Sequence, residues 1–242
     1  MSYNCTMRWR LTFALISLNL MTSGQSNTTA AWFDYNHTQY LTPDLAIVGD
    51  VGYRSVFTED RRQITYIRPG VRYRFNSTFR IQGNVSTFLT FNENSTNTTE
   101  FRLAEQGVAT WPRLSEFKFN HRLRFEHRYI TRESTESESN RELSEWSNRM
   151  RYMLSGTTDY FNLGPLGNSF LTGSIEYFVP LADETAENFS DESRVYIGYG
   201  QLLPKGWSYV IHFMWQRSKN EVGDFVSDDF IVRLRIYWKS KI

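Results

Sequence analysis

The sequence predicts an all-β fold, a transmembrane antiparallel up-and-down β-barrel of about 10–12 strands with a polar lumen lined by Arg and Glu. Three observations lead there. In the stretch Phe117 to Tyr129, Phe117, Phe119, Leu123, Phe125 and Tyr129 fall on one face, and Lys118, Asn120, Arg122, Arg124, Glu126 and Arg128 on the other. Only a period of two separates these sets, and a tilted strand needs about 9–11 residues to cross the hydrocarbon core, which this run supplies. Second, short turns near residues 76, 112, 164 and 205 alternate with longer polar connections at 58–62, 92–98, 131–144, 181–192 and 218–228. Membrane barrels have short periplasmic turns and long extracellular loops. Third, 22 Arg stand against only 5 Lys, and guanidinium groups suit confined networks with carboxylates better than ammonium groups do.

Composition narrows the class further. The 242 residues carry no Pro- or Gly-rich linker and read as one domain. Mean hydropathy is −0.50 although 16% of residues are aromatic, a pairing that argues against membrane helices and suits strands that alternate. A formal net charge of +1 gives no electrostatic case for nucleic acid. Residues 1–26 read as a secretory signal peptide, with Arg8 and Arg10, the apolar run Leu11 to Met21 and small residues to Ser26; residues 27–242 are then the barrel domain. The route expected is export and insertion into the outer membrane of a Gram-negative envelope, with the barrel-assembly machinery, membrane lipids and lipopolysaccharide as partners. The sole cysteine, Cys5, falls in the signal segment. Eight Asn-x-Ser/Thr triplets follow from Asn/Ser/Thr-rich turns and polar faces rather than from glycosylation.

Taken in order, Ala31 to Tyr40 is a weak strand candidate, followed by the turn Thr42-Pro43-Asp44. Leu45 to Phe57 sets Leu45, Ile47, Val51, Tyr53 and Phe57 against Asp50 and Arg54. Thr65 to Phe75 directs Ile67, Val71, Tyr73 and Phe75 outward and Arg68, Arg72 and Arg74 inward. Phe79 to Phe91 opposes Ile81, Val85, Leu89 and Phe91 to Arg80, Gln82, Asn84 and Ser86. Glu100 to Val108 places Glu100, Arg102 and Gln106 on the polar side, while Glu105 falls on the apolar one, for which a β-bulge is expected to restore parity. The strand from Phe117 follows, then Trp146 to Leu154 with Arg149 and Arg151. Phe170 to Val179 turns Glu176 inward, Arg194 to Leu202 and Trp207 to Gln216 form a hairpin, and Phe230 to Trp238 opposes Val232, Leu234 and Ile236 to Arg233 and Arg235. Trp111, Trp207 and Trp238 lie at the short-turn end and Trp146 and Trp215 at the long-loop end, as two interfacial girdles would. The segments from Leu45 onward make ten strands. Ala31 to Tyr40 would make an eleventh against the even-number rule, so it is expected to be partial or lumenal, or one strand is missing.

Five stretches stand out in order: Glu100-Phe101-Arg102 with Gln106, Arg122-Leu123-Arg124-Phe125-Glu126-His127-Arg128-Tyr129, Asn148-Arg149-Met150-Arg151-Tyr152, Glu176-Tyr177-Phe178 and Arg194-Val195-Tyr196-Ile197-Gly198. Together they resemble a family of bacterial outer-membrane proteins catalogued as domain of unknown function 2490. The resemblance covers about Trp32 to Trp238 and implies an outer-membrane barrel with no assigned activity. It departs at Lys239 to Ile242, where such barrels usually finish on an aromatic read by the assembly machinery.

The candidate site is the lumenal charge network of Arg68, Arg72, Arg80, Glu100, Arg102, Arg122, Arg124, Glu126, Arg128, Arg149, Arg151, Glu176, Arg194, Arg233 and Arg235. It reads either as a porin-like constriction that selects anionic solutes or as a salt-bridged filling that closes a narrow structural barrel. An outer-membrane acyl hydrolase is a further alternative, but no His/Ser motif supports it: His121 and His127 fall on the outward face and His212 on the inward one. No catalytic residue, cofactor or metal site is assigned, since clustered His or Cys and phosphate-cradling Gly loops are both lacking. A soluble lipid-binding β-barrel shares the period with the opposite face inward; Trp at both ends and Arg on the polar face weigh against it.

Overall fold

The structure, a computed structural model, describes residues 27–58, 61–93, 95–133, 143–163, 167–181, 190–219 and 226–240. The expected signal peptide and most of the connections at 131–144, 181–192 and 218–228 lie outside these residues. The strands are β1 (Asn27–Tyr40), β2 (Leu45–Val56), β3 (Arg62–Arg74), β4 (Phe79–Asn92), β5 (Thr98–Thr110), β6 (Phe117–Arg132), β7 (Leu143–Thr158), the two-residue β8 (Phe161–Asn162), β9 (Asn168–Pro180), β10 (Ser190–Leu202), β11 (Trp207–Lys219) and β12 (Val226–Lys239). Apart from β8, which pairs only with the start of β9, each strand is hydrogen-bonded to two neighbours, and the sheet closes on itself.

Closure happens in a way the sequence reading did not anticipate. β1 is a full wall strand, neither partial nor lumenal, so eleven strands form the cylinder. An odd number of alternating strands brings the first and last side by side pointing the same way. β1 and β12 accordingly pair in parallel from Asn27↔Asp228 to Thr38↔Lys239, while every other pair is antiparallel. The even-number expectation fails because a parallel seam satisfies the edge hydrogen bonds as completely as an antiparallel one.

Parity then sorts the side chains. Ile47, Ile67, Val71, Val85, Leu103, Ile197, Phe213 and Val232 are exposed on the outside and form an apolar band. Rings crowd its two rims. At the short-turn rim Trp207 stacks on Trp238 at 5.8 Å and Trp111 on His121 at 5.0 Å; at the long-loop rim Tyr129 meets Trp146 at 4.9 Å. Glu105 also faces outward. Its expected bulge is absent: β5 runs in unbroken register from Thr98↔Arg132 to Thr110↔Asn120, so Glu105 keeps the outward phase of Leu103.

Two glycines shape the wall. Gly206 follows Lys205 in the β10–β11 turn, both with positive φ (80° and 58°), and a Cβ on Gly206 would collide with the Lys239 carbonyl. Gly52 points into the lumen between Asp34 and Tyr66, where a Cβ would strike the Tyr66 ring and stand 2.6 Å from Asp34 Oδ1. Its missing side chain lets the Tyr66 hydroxyl reach across β2 and donate to Asp34.

Candidate functional site in the lumen

Inward-facing residues from all parts of the wall meet in a charged belt. On β6 and β7, Glu126 accepts from Arg149 Nε at 2.7 Å, Arg151 Nη1 at 2.7 Å and, weakly, Arg124 Nη1 at 3.4 Å. Arg151 also donates to Glu176 of β9 through Nη2 at 2.8 Å, and Arg122 Nη2 and the Tyr196 hydroxyl add donors at 2.5 and 2.8 Å. Arg151 thus bridges two carboxylates on strands either side of its own. Glu100 takes the fork of Arg102 at 2.5 and 2.6 Å together with Arg128 of β6. Such bidentate, charge-assisted geometry is what guanidinium supplies and ammonium does not.

Four further anchors were not in the sequence-derived set. Asp34 of β1 accepts from Tyr66 and from Arg233 across the seam, with Arg235 Nε at 3.4 Å. Asp50 takes the fork of Arg68 at 2.8 and 2.6 Å. Gln106 accepts from Arg124 at 2.9 and 2.5 Å, and Gln216 from Arg194 Nε at 2.6 Å, so amides do part of the work expected of carboxylates. Asp34 escaped notice because β1 alternates poorly: its inward face carries Ala30 and Trp32, and His37 and Gln39 take the outward phase. The signal available was parity with Trp32 once β1 is accepted as wall.

The balance of charge is unequal. Five carboxylates (Asp34, Asp50, Glu100, Glu126, Glu176) hold nine arginines: Arg68, Arg102, Arg122, Arg124, Arg128, Arg149, Arg151, Arg233 and Arg235. Arg72 and Arg80 sit toward the short-turn end and pair with no carboxylate among the described residues; Arg72 lies 5.8 Å from the Tyr40 ring. Arg54 stacks on Trp32 with its guanidinium carbon 4.0 Å from the ring centroid, and Arg102 on Phe88 at 3.8 Å.

The belt does not fill the barrel. A cavity of about 920 Å³ is lined from Thr28, Thr96 and Arg132 at the long-loop end, past Arg124, Arg151 and Glu176, to Tyr160, Leu202 and Lys239 at the short-turn end. Nor is the lumen uniformly polar, because Ala30, Trp32, Val56, Tyr196, Met214 and Ile231 form a buried apolar cluster inside it. Of the histidines, His121 Nδ1 lies 2.6 Å from the Tyr152 hydroxyl and His127 Nδ1 2.7 Å from Asn148 Oδ1, both on the outside. The inward His212 packs edge-on against Tyr196. None of these contacts brings a serine to an imidazole.

Two solved structures align with this chain. The translocator domain of autotransporter NalP from Neisseria meningitidis aligns with a TM-score of 0.51 at 14% identity, over 76% of this chain and 73% of that one. The β-domain of the Bordetella autotransporter BrkA gives 0.48 at 9% identity, over 79% and 82%. At this identity the NalP likeness is one of fold. No curated protein matches the chain. A family model does match, over residues 29–227, which takes in β1 to β11 and the first residues of β12. The chain belongs to the family described as "Protein of unknown function (DUF2490)".

Proposed function

We propose that this chain is an outer-membrane barrel that forms a narrow passage for small anionic solutes. The apolar outer band and its two aromatic rims suit insertion in a bilayer, with lipid and lipopolysaccharide around the wall. The observation that carries the reading is the lumenal cavity of about 920 Å³ lined by more guanidinium groups than carboxylates. A water-containing lumen with fixed surplus positive charge attracts anions and repels cations, because the low-dielectric wall focuses the field along the axis. The carboxylates hold the arginines in place rather than cancelling them: Glu126 alone orders three. No hydrolytic role is assigned, since the outward histidines face Tyr152 and Asn148.

The test is reversal potential. Purified barrel in a planar bilayer under a potassium chloride gradient should give small conductance steps with a reversal potential on the chloride side. Cation selectivity, or a folded and inserted barrel with no conductance, would overturn the passage.

A further inference from the structure

The lumen changes character on the long-loop side of the charged belt, and Trp32 marks the border. Arg54 and Arg233 are its direct cross-strand partners on β2 and β12. One step nearer the long-loop rim, Ala30, Val56 and Ile231 line the same cavity as apolar wall, with Tyr196 beside them. The guanidinium groups around the indole differ in what they already hold. Arg233 is taken by Asp34, and Arg194, 5.4 Å from the ring, donates to Gln216. Arg54 lines the cavity and is held by stacking on Trp32, Tyr66 and Phe88, yet it donates no hydrogen bond to any described residue. Its Nε is buried without an acceptor. A half-buried cation that faces the cavity, with five donors and no protein acceptor among the described residues, is a ready seat for an oxyanion. Apolar wall directly beside it is an unmet demand for hydrocarbon.

We propose that this border is a binding site for an amphiphilic organic anion: a carboxylate head on Arg54, and an apolar tail lying along Trp32, Val56 and Ile231 toward the long-loop rim. The site deepens the passage reading and rests on it for the sign of the ligand's charge. It adds something a plain anion passage lacks, a preference for solutes with an apolar body.

Isothermal calorimetry on the full barrel in lipid nanodiscs, with empty nanodiscs subtracted, decides it. The probes are hexanoate, acetate and hexylammonium. Hexanoate should bind saturably and at least about tenfold more tightly than acetate, because its extra methylenes leave water. Hexylammonium should match the empty-disc background. Arg54→Gln should weaken hexanoate about tenfold through loss of the charge-assisted head contact. Ile231→Asn should narrow the gap between hexanoate and acetate.

Equal affinity for acetate and hexanoate would overturn the site, as would hexylammonium binding like hexanoate or a folded Arg54→Gln barrel binding like the parent. Should Arg54→Gln not fold, the three-probe comparison on the unmodified barrel and Ile231→Asn still decide. Anion-selective conductance without a hexanoate preference sinks this inference and leaves the passage standing. Saturable hexanoate binding in a barrel that does not conduct does the reverse.

Discussion

Asp34 on β1 accepts the Nε–H of Arg233 on β12, so the strands at the two ends of the sheet, 199 positions apart at these residues, are joined by a charge pair as well as by backbone. Asp34 is fully buried and also receives Tyr66. Replacing it with Ala strands two guanidinium groups at the seam, at a cost of about 3–5 kcal/mol. The expected result is a lower urea midpoint for loss of the compact, fast-migrating form on unboiled detergent gels. An unchanged midpoint would mean that the seam stands without its anion.

The seam itself is checked by cross-linking. Ala31 and Val232 are register partners on the outward side of the parallel pair. Cysteines placed at both should form a disulfide on oxidation of the folded barrel, while cysteines at 31 and 236, four residues out of register, should not. An even-stranded wall, or a lumenal first strand, would give no bond at 31 and 232.

The three arginines on Glu126 make a sharper comparison. Glu126→Ala leaves Arg149 without its carboxylate and Arg151 with Glu176 only. Removing Arg149 as well should restore part of the loss, with a coupling of about 0.5–3 kcal/mol in a double-mutant cycle read by the same urea midpoints. Strictly additive losses would show that the belt charges act independently through solvent.

Gly52 and Gly83 test the wall's two sides. An added methyl at Gly52 meets the Tyr66 ring and Asp34, whereas at Gly83 nothing lies within 4 Å. Gly52→Ala should cost about 1–3 kcal/mol by overpacking, and Gly83→Ala should stay within about 0.5 kcal/mol of the parent. Equal effects would contradict the inward placement of residue 52.

Topology is read by labelling. Ser95 lies in a long connection and Asn76 in a short turn, and β1 begins at the same rim as Ser95. Tags at Ser95 and just before Thr28 should be reached by antibody on intact cells, and a tag at Asn76 should not. The opposite pattern would invert the barrel in the membrane.

Much of the wall was legible because a period of two is a local property. From Leu45 on, parity alone placed Arg68, Arg122, Arg124, Glu126, Arg151 and Glu176 on the lumenal side of their strands. What parity cannot give is which carboxylate meets which arginine, since that depends on the stagger of strands distant in sequence. Arg122 reaches Glu176 past Arg151, 54 residues away. Two local readings misled for physical reasons. Glu105 breaks the apolar pattern without breaking the register, because a carboxylate on the outer face is tolerated more readily than a bulge that would turn every following residue to the wrong side. Ala31 to Tyr40 reads as partial or lumenal because its apolar residues alternate poorly, yet β1 is full wall, with Trp32 held inward by the arginines that stack on it.

The parallel seam has a mechanical meaning. Successive wall strands elsewhere are linked through the chain at one rim or the other, but β1 and β12 share no connection, and parallel pairing is slightly weaker per residue. The cylinder therefore has one line along which it can unroll into a flat sheet without breaking a hairpin. Under load or denaturant, β1 and β12 should lose protection from hydrogen exchange before the β5–β7 side does, with Asp34 as the rivet at the seam.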